Sequence, residues 1–496
     1  MLPTLVSFGF YLLMMIFIGF YFYEKKSSVE KYILGGRGLG SWVTAMSAQA
    51  SDMSGWLLMG LPGSIYAAGT GDTWCAIGLA VGTFFNWILV APRLRVYSEV
   101  TDSITVPQFM GNRLNDPTGV VRAIAALVTL GFFAIYAGSG LVAAGKLFES
   151  MFGIKYEWAV VLGAVVVLIY TLSGGFLAVC YTDLIQGILM FIAIVIVPLL
   201  AVSHLADGSI AANLSERGLS LSLLPKDGGL LALVTFIVSP FVWGLGYFGQ
   251  PHIIIRFMGI SSHKALKKST IIAMIWVVIS LAAAVIIGII GIGLYKDPTS
   301  IDAEKVFIKM IEQFCNPWIG GIFLAAIMAA IMSTIDSQLL SASSALSQDF
   351  YKQFFRKEAG EHEMIIVNRA FVVVIMIFAS SIALANLNTI FKIVQFAWGG
   401  FGAAFGPVIL YSLYSRKMTW QAGLAGIIVG TAVMLGWKFS PLGPYMYEIL
   451  PGFVANLFII TIVNHFLPQQ NKEVLDKFDK MTKIIKGNAD DTEKAA

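Results

Sequence analysis

The chain has 496 residues, of which 57% are hydrophobic and 12% charged, with a formal net charge of +4. Soluble domains run at roughly 45–50% apolar and about 25% charged, and the mean hydropathy here is +0.79. These values exclude an ordinary soluble domain. Apolar runs of the ~20 residues needed to cross a bilayer recur from end to end, so the class is an all-α polytopic membrane protein.

In chain order the pattern predicts about 13 transmembrane helices, near 3–23, 38–64, 70–93, 118–149, 156–174, 182–204, 229–256, 269–294, 315–347, 367–388, 390–413, 419–437 and 447–467. The first follows Met1 with no basic n-region and no small-residue cleavage site, which reads as a retained helix. Placing the N-terminus outside puts 24 of the 33 lysines and arginines in inside loops and the tail, among them Lys25, Lys26, Arg95, Arg256 and Lys352. The positive-inside rule therefore predicts an external N-terminus and a cytoplasmic C-terminus. The tail after Pro468 reads as a solvated, partly disordered terminus with an amphipathic patch ending at Gly487. Cys75, Cys180 and Cys315 are scattered, suggesting neither disulfides nor a metal cluster.

Two spans are interrupted. SAQASDMSGWLLMGLPG (47–63) carries Ser51, Asp52, Ser54, Gly55 and Gly60, and VSPFVWGLGYFGQPHI (238–253) carries Pro240, Gly244, Gly246, Gly249 and Pro251. They are the second and seventh spans, five apart. Unwound backbone at membrane depth is tolerated only inside protein or beside a cavity. A matched pair of such spans points to the site of an inverted-repeat transporter. The alternative is close helix packing, as expected for Gly78/Gly82 and Gly426/Gly430.

Asp52 costs about 2.5–3.5 kcal/mol near a helix centre on insertion scales, so it marks a pathway or a cavity. An N-cap on the amides of Met53, Ser54 and Gly55 is the structural alternative. In the ninth span Ala330, Ser333, Thr334, Ser337 and Ser341 share one helical face, with Asp336 beside it. Hydroxyl and carbonyl oxygens in neutral surroundings suit a monovalent cation, whereas divalent and transition metals recruit carboxylates, His or Cys. Serine bonding between helices is the competing explanation.

ASDMSGWLLMGLPG (50–63), GLGYFGQPHI (244–253), AAIMSTIDSQLL (329–340) and AWGGFGAAFGP (397–407) together resemble signature segments of the solute:sodium symporter family. YILGGRGLGSW (32–42), LFESMFG (147–153) and GGFLAVCYTD (174–183) extend the likeness from about residue 8 to 465. The resemblance implies a LeuT-like core of two inverted five-helix repeats, 38–204 and 229–413. The first helix and its loop (1–37) precede this core, an external loop (205–228) joins its halves, and two peripheral helices (414–467) and a tail (468–496) follow it. It implies sodium-coupled import of L-proline across the cell membrane, with sodium on the carbonyls of Ala50, Met53 and Ala330 and the hydroxyls of Ser333 and Thr334. By the same likeness Asp52 serves sodium coupling, and Ser54, Gly55, Trp56, Tyr136, Trp243, Tyr247 and Pro251 surround the substrate.

Some relatives hold a second sodium at positions matching Asp183, Asp336 and Ser337. Asp183 follows Thr182 at an expected helix start, where N-cap duty is the simpler role. Rivals remain: another solute on the same fold (a different amino acid, sialic acid, pantothenate or a sugar), a proton in place of sodium, a membrane-embedded enzyme, or a sensor. The histidines sit mostly near loops or span ends, with no HExxH or paired-acid spacing, so the expectation is a transporter and not an enzyme. No nucleic acid and no obligate protein partner are expected.

Overall fold

The computed structural model describes residues 2–21, 28–225, 228–469 and 471–487. Lys25, Lys26, residues 226 and 227 of the 205–228 loop and the last part of the tail lie outside those residues. Eleven helices among the described residues are long and apolar enough to cross a membrane. Of the other two expected spans, 38–64 is a broken segment, Ser41–Asp52 followed by Trp56–Ala68, and 156–174 is the shorter helix Tyr156–Ser173. Pro317–Ala345 lies at the centre, and from Phe323 onward every side chain of that helix is buried.

Local chemistry sets the ends of these helices. Asn316 caps the central helix, its side-chain oxygen accepting from the amides of Trp318 and Ile319, and Pro317 occupies the first turn. Thr389 and Thr419 cap Ile390–Tyr414 and Trp420–Lys438 in the same way. The Gly174–Gly175 turn ends one helix and starts the next, Phe176–Val202. That start lies earlier than the expected 182, which matters for Asp183 below.

The expected glycine packing is present. A Cβ on Gly78 would strike the Phe241 carbonyl, one on Gly82 the Gly244 carbonyl, and one on Gly244 the Gly78 carbonyl. Helix Thr73–Phe85 thus runs backbone against backbone along the segment Val242–Gly249. Gly426 and Gly430 meet Asn456, whose side-chain amide donates to the carbonyls of Ala403 and Ala404.

The tail differs from expectation. Lys472–Ile485 is a helix, started by an Asn471 cap, with Val474, Phe478 and Met481 buried. It packs on Ala91–Val100. Apolar residues at i, i+4 and i+7 form one stripe, and burying that stripe outweighs solvation of the lysine-rich remainder. The Arg113 guanidinium sits over both Tyr97 (4.9 Å) and Phe478 (5.3 Å), and Arg416 pairs with Asp479 through two bonds of 3.0 and 2.9 Å.

On this tail-bearing face an isolated parallel bridge joins Leu39 to Ile260. The Leu39 amide donates to the Gly259 carbonyl (3.1 Å) and the Ser261 amide to the Leu39 carbonyl (3.0 Å). Arg37 reinforces it, donating to the carbonyls of Met258 (3.1 Å), Ser98 (3.2 Å) and Ser103 (2.8 Å).

Candidate ion and substrate site

Helix Ser41–Asp52 stops because Met53 leaves helical geometry (φ −83°, ψ 75°). The Ser54 amide turns back to the Asp52 carbonyl (3.0 Å), and the Leu57 amide goes to Ser54 (3.0 Å) and not to Met53. The Met53 carbonyl is thereby released from the helical ladder. Gly55 permits the turn to press on helix Val120–Phe152, since a Cβ there would lie 2.7 Å from the Ala143 Cβ. The seventh span breaks at Gln250, whose extended backbone separates Val242–Gly249 from the half-helix Pro251–Gly259.

The central helix faces the first break with its polar stripe. The Ser333 hydroxyl donates to the Ala50 carbonyl (2.8 Å) and lies 3.2 Å from the Ala330 carbonyl, while the Thr334 hydroxyl reaches Ala50 at 3.3 Å. Two hydroxyls and two carbonyls, all buried and neutral, thus converge beside Met53. Such oxygens can replace the water shell of a hard monovalent cation.

Asp52 does not cap its own chain. Its Oδ2 accepts the Tyr247 phenol at 2.5 Å across the two broken spans, and its Oδ1 is buried with no partner among the described residues. The N-cap alternative fails because Ser54 turns its amide to a backbone oxygen instead. The Asp52 carbonyl accepts from the Trp56 indole (3.1 Å) and the Tyr136 hydroxyl (3.3 Å), and the Ser54 hydroxyl accepts from the Trp56 amide (3.3 Å). Trp56 lies 6.4 Å from Trp243, ring to ring. Pro251 opens the second half-helix. The expected substrate residues therefore line the two breaks.

Asp183 and Ser337 also come together, but around Arg256, which the charge pattern puts in a loop, and Asp336 adjoins them through Ser337. Arg256 is fully buried, and its guanidinium donates to Ser337 (2.5 Å), Ser47 (3.1 Å) and Asp183 (3.3 Å). Asp183 accepts from Ser47 (2.6 Å) and Ser51 (3.3 Å) as well, and Ser337 meets Asp336 at 3.3 Å. Asp183 is thus no N-cap: its helix starts at Phe176 and its side chain faces inward, with Gly175 at the cap position.

Four residues of this centre carried no assigned role in the sequence. Trp398 donates to the Trp243 carbonyl (2.8 Å) and stands edge-on to Tyr247 at 4.9 Å. Gln250 holds the Trp398 carbonyl through Nε2 (3.2 Å). His252, read as near a span end, is fully buried at the second break, and Arg256 follows one turn later. The only sequence signal for the first three was membership in AWGGFGAAFGP and GLGYFGQPHI.

The pattern of the Sodium:solute symporter family matches residues 32–430. The chain is 44% identical over 461 residues to the sodium/proline symporter of Escherichia coli (strain K12), covering 91% of each chain. It is 43% identical over 469 residues to the high-affinity proline transporter PutP of Bacillus subtilis (strain 168), covering 94% of this chain and 98% of that one. A solved Na+-coupled sialic acid symporter, in a substrate-bound outward-open state, superimposes with a TM-score of 0.79 at 19% identity, covering 95% of this chain and 99% of that one. That likeness shows a shared LeuT-like fold. By the extent of these matches the chain belongs to the sodium:solute symporter family.

Proposed function

We propose that the chain imports L-proline by sodium symport through alternating access. The observation that carries the reading is the meeting of Ser333 and Thr334 with the Ala50 carbonyl at the first helix break. The relatives named for proline transport, at 43–44% identity over nine-tenths of the chain, support the solute. Sodium on Ala50, Met53, Ala330, Ser333 and Thr334 ties the first broken span to the central helix. That tie fixes Asp52, and through Tyr247 the segment bearing the solute site. The two binding events are then coupled reciprocally, typically by about 1–3 kcal/mol. Each positive charge moved inward gains about 2.3 kcal/mol per 100 mV.

Proline suits the remaining surface. It is a compact zwitterion whose carboxylate matches the positive end of the half-helix at Pro251. Its ring and ammonium match the faces of Trp56, Trp243 and Tyr136. In this reading 38–204 and 229–413 are the inverted repeats, 1–37 and 414–467 flank them, and 468–496 is the tail. The tail-bearing face is cytoplasmic and the N-terminus external.

The test is radiolabelled proline uptake into proteoliposomes under an inward sodium gradient or a matched potassium or proton gradient. Accumulation only with sodium supports the reading. Sodium-driven uptake of another solute sinks the proline assignment, and indifference to sodium sinks the ion site. Thiol labelling of single-cysteine variants in the tail and at Ser7, from either side of intact cells, checks the orientation.

A further inference from the structure

We propose that Gln250 and His252 read the charged head group of the transported solute, Gln250 its ammonium and His252 its carboxylate. This rests on the reading of the chain as an amino-acid symporter.

A closed circuit of contacts surrounds one spot between the two breaks. Asp52 takes the Tyr247 phenol at 2.5 Å, and Tyr247 abuts Trp398 at 4.9 Å. The Trp398 carbonyl takes the Gln250 amide at 3.2 Å, and the chain runs two residues on to His252. The imidazole stands edge-on to Tyr136 at 5.9 Å, and the Tyr136 hydroxyl returns to the Asp52 carbonyl at 3.3 Å.

Three members of this circuit have buried polar atoms that no group among the described residues meets: Asp52 Oδ1, Gln250 Oε1, and both ring nitrogens of His252. Native interiors leave few such atoms, so a cluster at one spot demands a partner. The alternative, that His252 is only packing, explains its contact with Phe133 at 5.2 Å but not two unmade nitrogens. Because the Gln250 Nε2 donates to the Trp398 carbonyl, the unmet atom of that side chain is its acceptor Oε1.

The unmet atoms divide by sign. Asp52 Oδ1 and Gln250 Oε1 are acceptors, matching the two N–H groups of a secondary ammonium. A neutral imidazole offers one N–H donor. His252 also carries the first amide of its half-helix, because Pro251 has none, and that end of a helix favours a carboxylate. Donor and acceptors thus flank the spot as ammonium and carboxylate flank the α-carbon of an amino acid.

The experiment uses the full-length transporter in proteoliposomes, with proline uptake competed by unlabelled proline or by prolinamide, which keeps the ammonium and lacks the carboxylate charge. Variants are His252→Leu, His252→Gln and Gln250→Leu. Losing a hydrogen bond to a charged group corresponds to a change of about 10- to 100-fold in half-saturation. His252→Leu is expected to raise the proline half-saturation by that factor and lower the preference for proline over prolinamide equally. Sodium binding measured without proline stays within about twofold. His252→Gln, which keeps a donor, recovers most of the preference and serves if the leucine variant does not fold. Gln250→Leu raises both half-saturations together and leaves the preference unchanged. An unaltered proline-to-prolinamide preference in both His252 variants overturns the proposal. If wild type carries another carboxylated solute, the same variants are read against that solute's amide, and the proline assignment alone has failed. If wild type carries a solute lacking either charge, both readings fail.

Discussion

The Tyr247 phenol lies 2.5 Å from the Asp52 carboxylate, joining the segment before the second helix break to the last residue before the first. A hydrogen bond typically contributes about 0.5–1.5 kcal/mol, and this one joins the two broken spans of the core. Tyr247→Phe is therefore expected to raise the sodium concentration for half-maximal uptake by about tenfold. Asp52→Asn, which replaces the carboxyl itself, should raise it further. Sodium-activation curves at fixed proline check both. Curves that coincide with wild type would remove the pair from the coupling path.

Ser333 and Thr334 share one acceptor, the Ala50 carbonyl. Replacing either by alanine removes a neutral oxygen worth about 0.5–1.5 kcal/mol, a shift of roughly 2- to 13-fold in sodium half-saturation. Proline half-saturation should rise at limiting sodium and return to the wild-type value at saturating sodium, because only the ion step is altered. A proline defect that persists at saturating sodium would place these hydroxyls at the solute.

Arg256 and Asp183 form a buried ion pair at 3.3 Å, bracketed by Ser47, Ser51 and Ser337. Asp183→Asn strands the guanidinium, which typically costs about 3–5 kcal/mol, whereas replacing both partners by apolar residues is often neutral. Thermal unfolding in detergent should show a large fall in Tm for Asp183→Asn and recovery for Asp183→Leu with Arg256→Met. If Asp183→Asn keeps its Tm and instead lowers the number of sodium ions per proline, the trio is an ion site and not a structural pair.

Docking of the tail helix rests on Phe478 against Arg113 and on Asp479 with Arg416. The Arg416 guanidinium holds the Asp479 carboxyl below the usual carboxylate range. A depressed carboxyl contributes stability above its unfolded value, about 3.9, and loses it only as pH falls through the lower folded value. Docking should accordingly be unchanged from pH 7 to about 4. Phe478→Ala should release the helix at every pH, read as faster tryptic cleavage at Lys477 and Lys480 in solubilised protein. Loosening between pH 7 and 5 would contradict the assignment of Asp479 as the titrating contact.

The broken spans and the polar stripe were legible in the sequence for a shared reason. Glycine, proline and hydroxyl residues inside an apolar run contradict the lipid environment locally, and the 3.6-residue period placed Ala330, Ser333 and Thr334 on one face. What escaped notice was pairing over distance. Nothing near Asp183 announces Arg256, 73 residues away, and a six-residue error in the helix start made a buried acid look like a cap. His252 reads as near a span end because the span containing it ends in an arginine, which reads as a loop unless its partner is known. The amphipathic tail is visible as a pattern, but the surface that receives it joins Tyr97 and Arg113 to Arg416, which lies far from both along the chain.

The Leu39–Ile260 bridge sits where the first broken helix begins and the second ends. Its two bonds are main chain to main chain, so they do not depend on which side chains occupy those positions. The two broken spans are thus hinged together at the tail-bearing face. Opening at the hinge requires either breaking both bonds or carrying the two half-helices away as one piece. Mutation has little purchase on that resistance: only proline at Leu39 or Ser261 would delete a donor, whereas Arg37 acts through its side chain, so any substitution there removes its three carbonyl bonds. Over evolutionary time, that resistance is therefore easier to adjust through the arginine than through the hinge it reinforces.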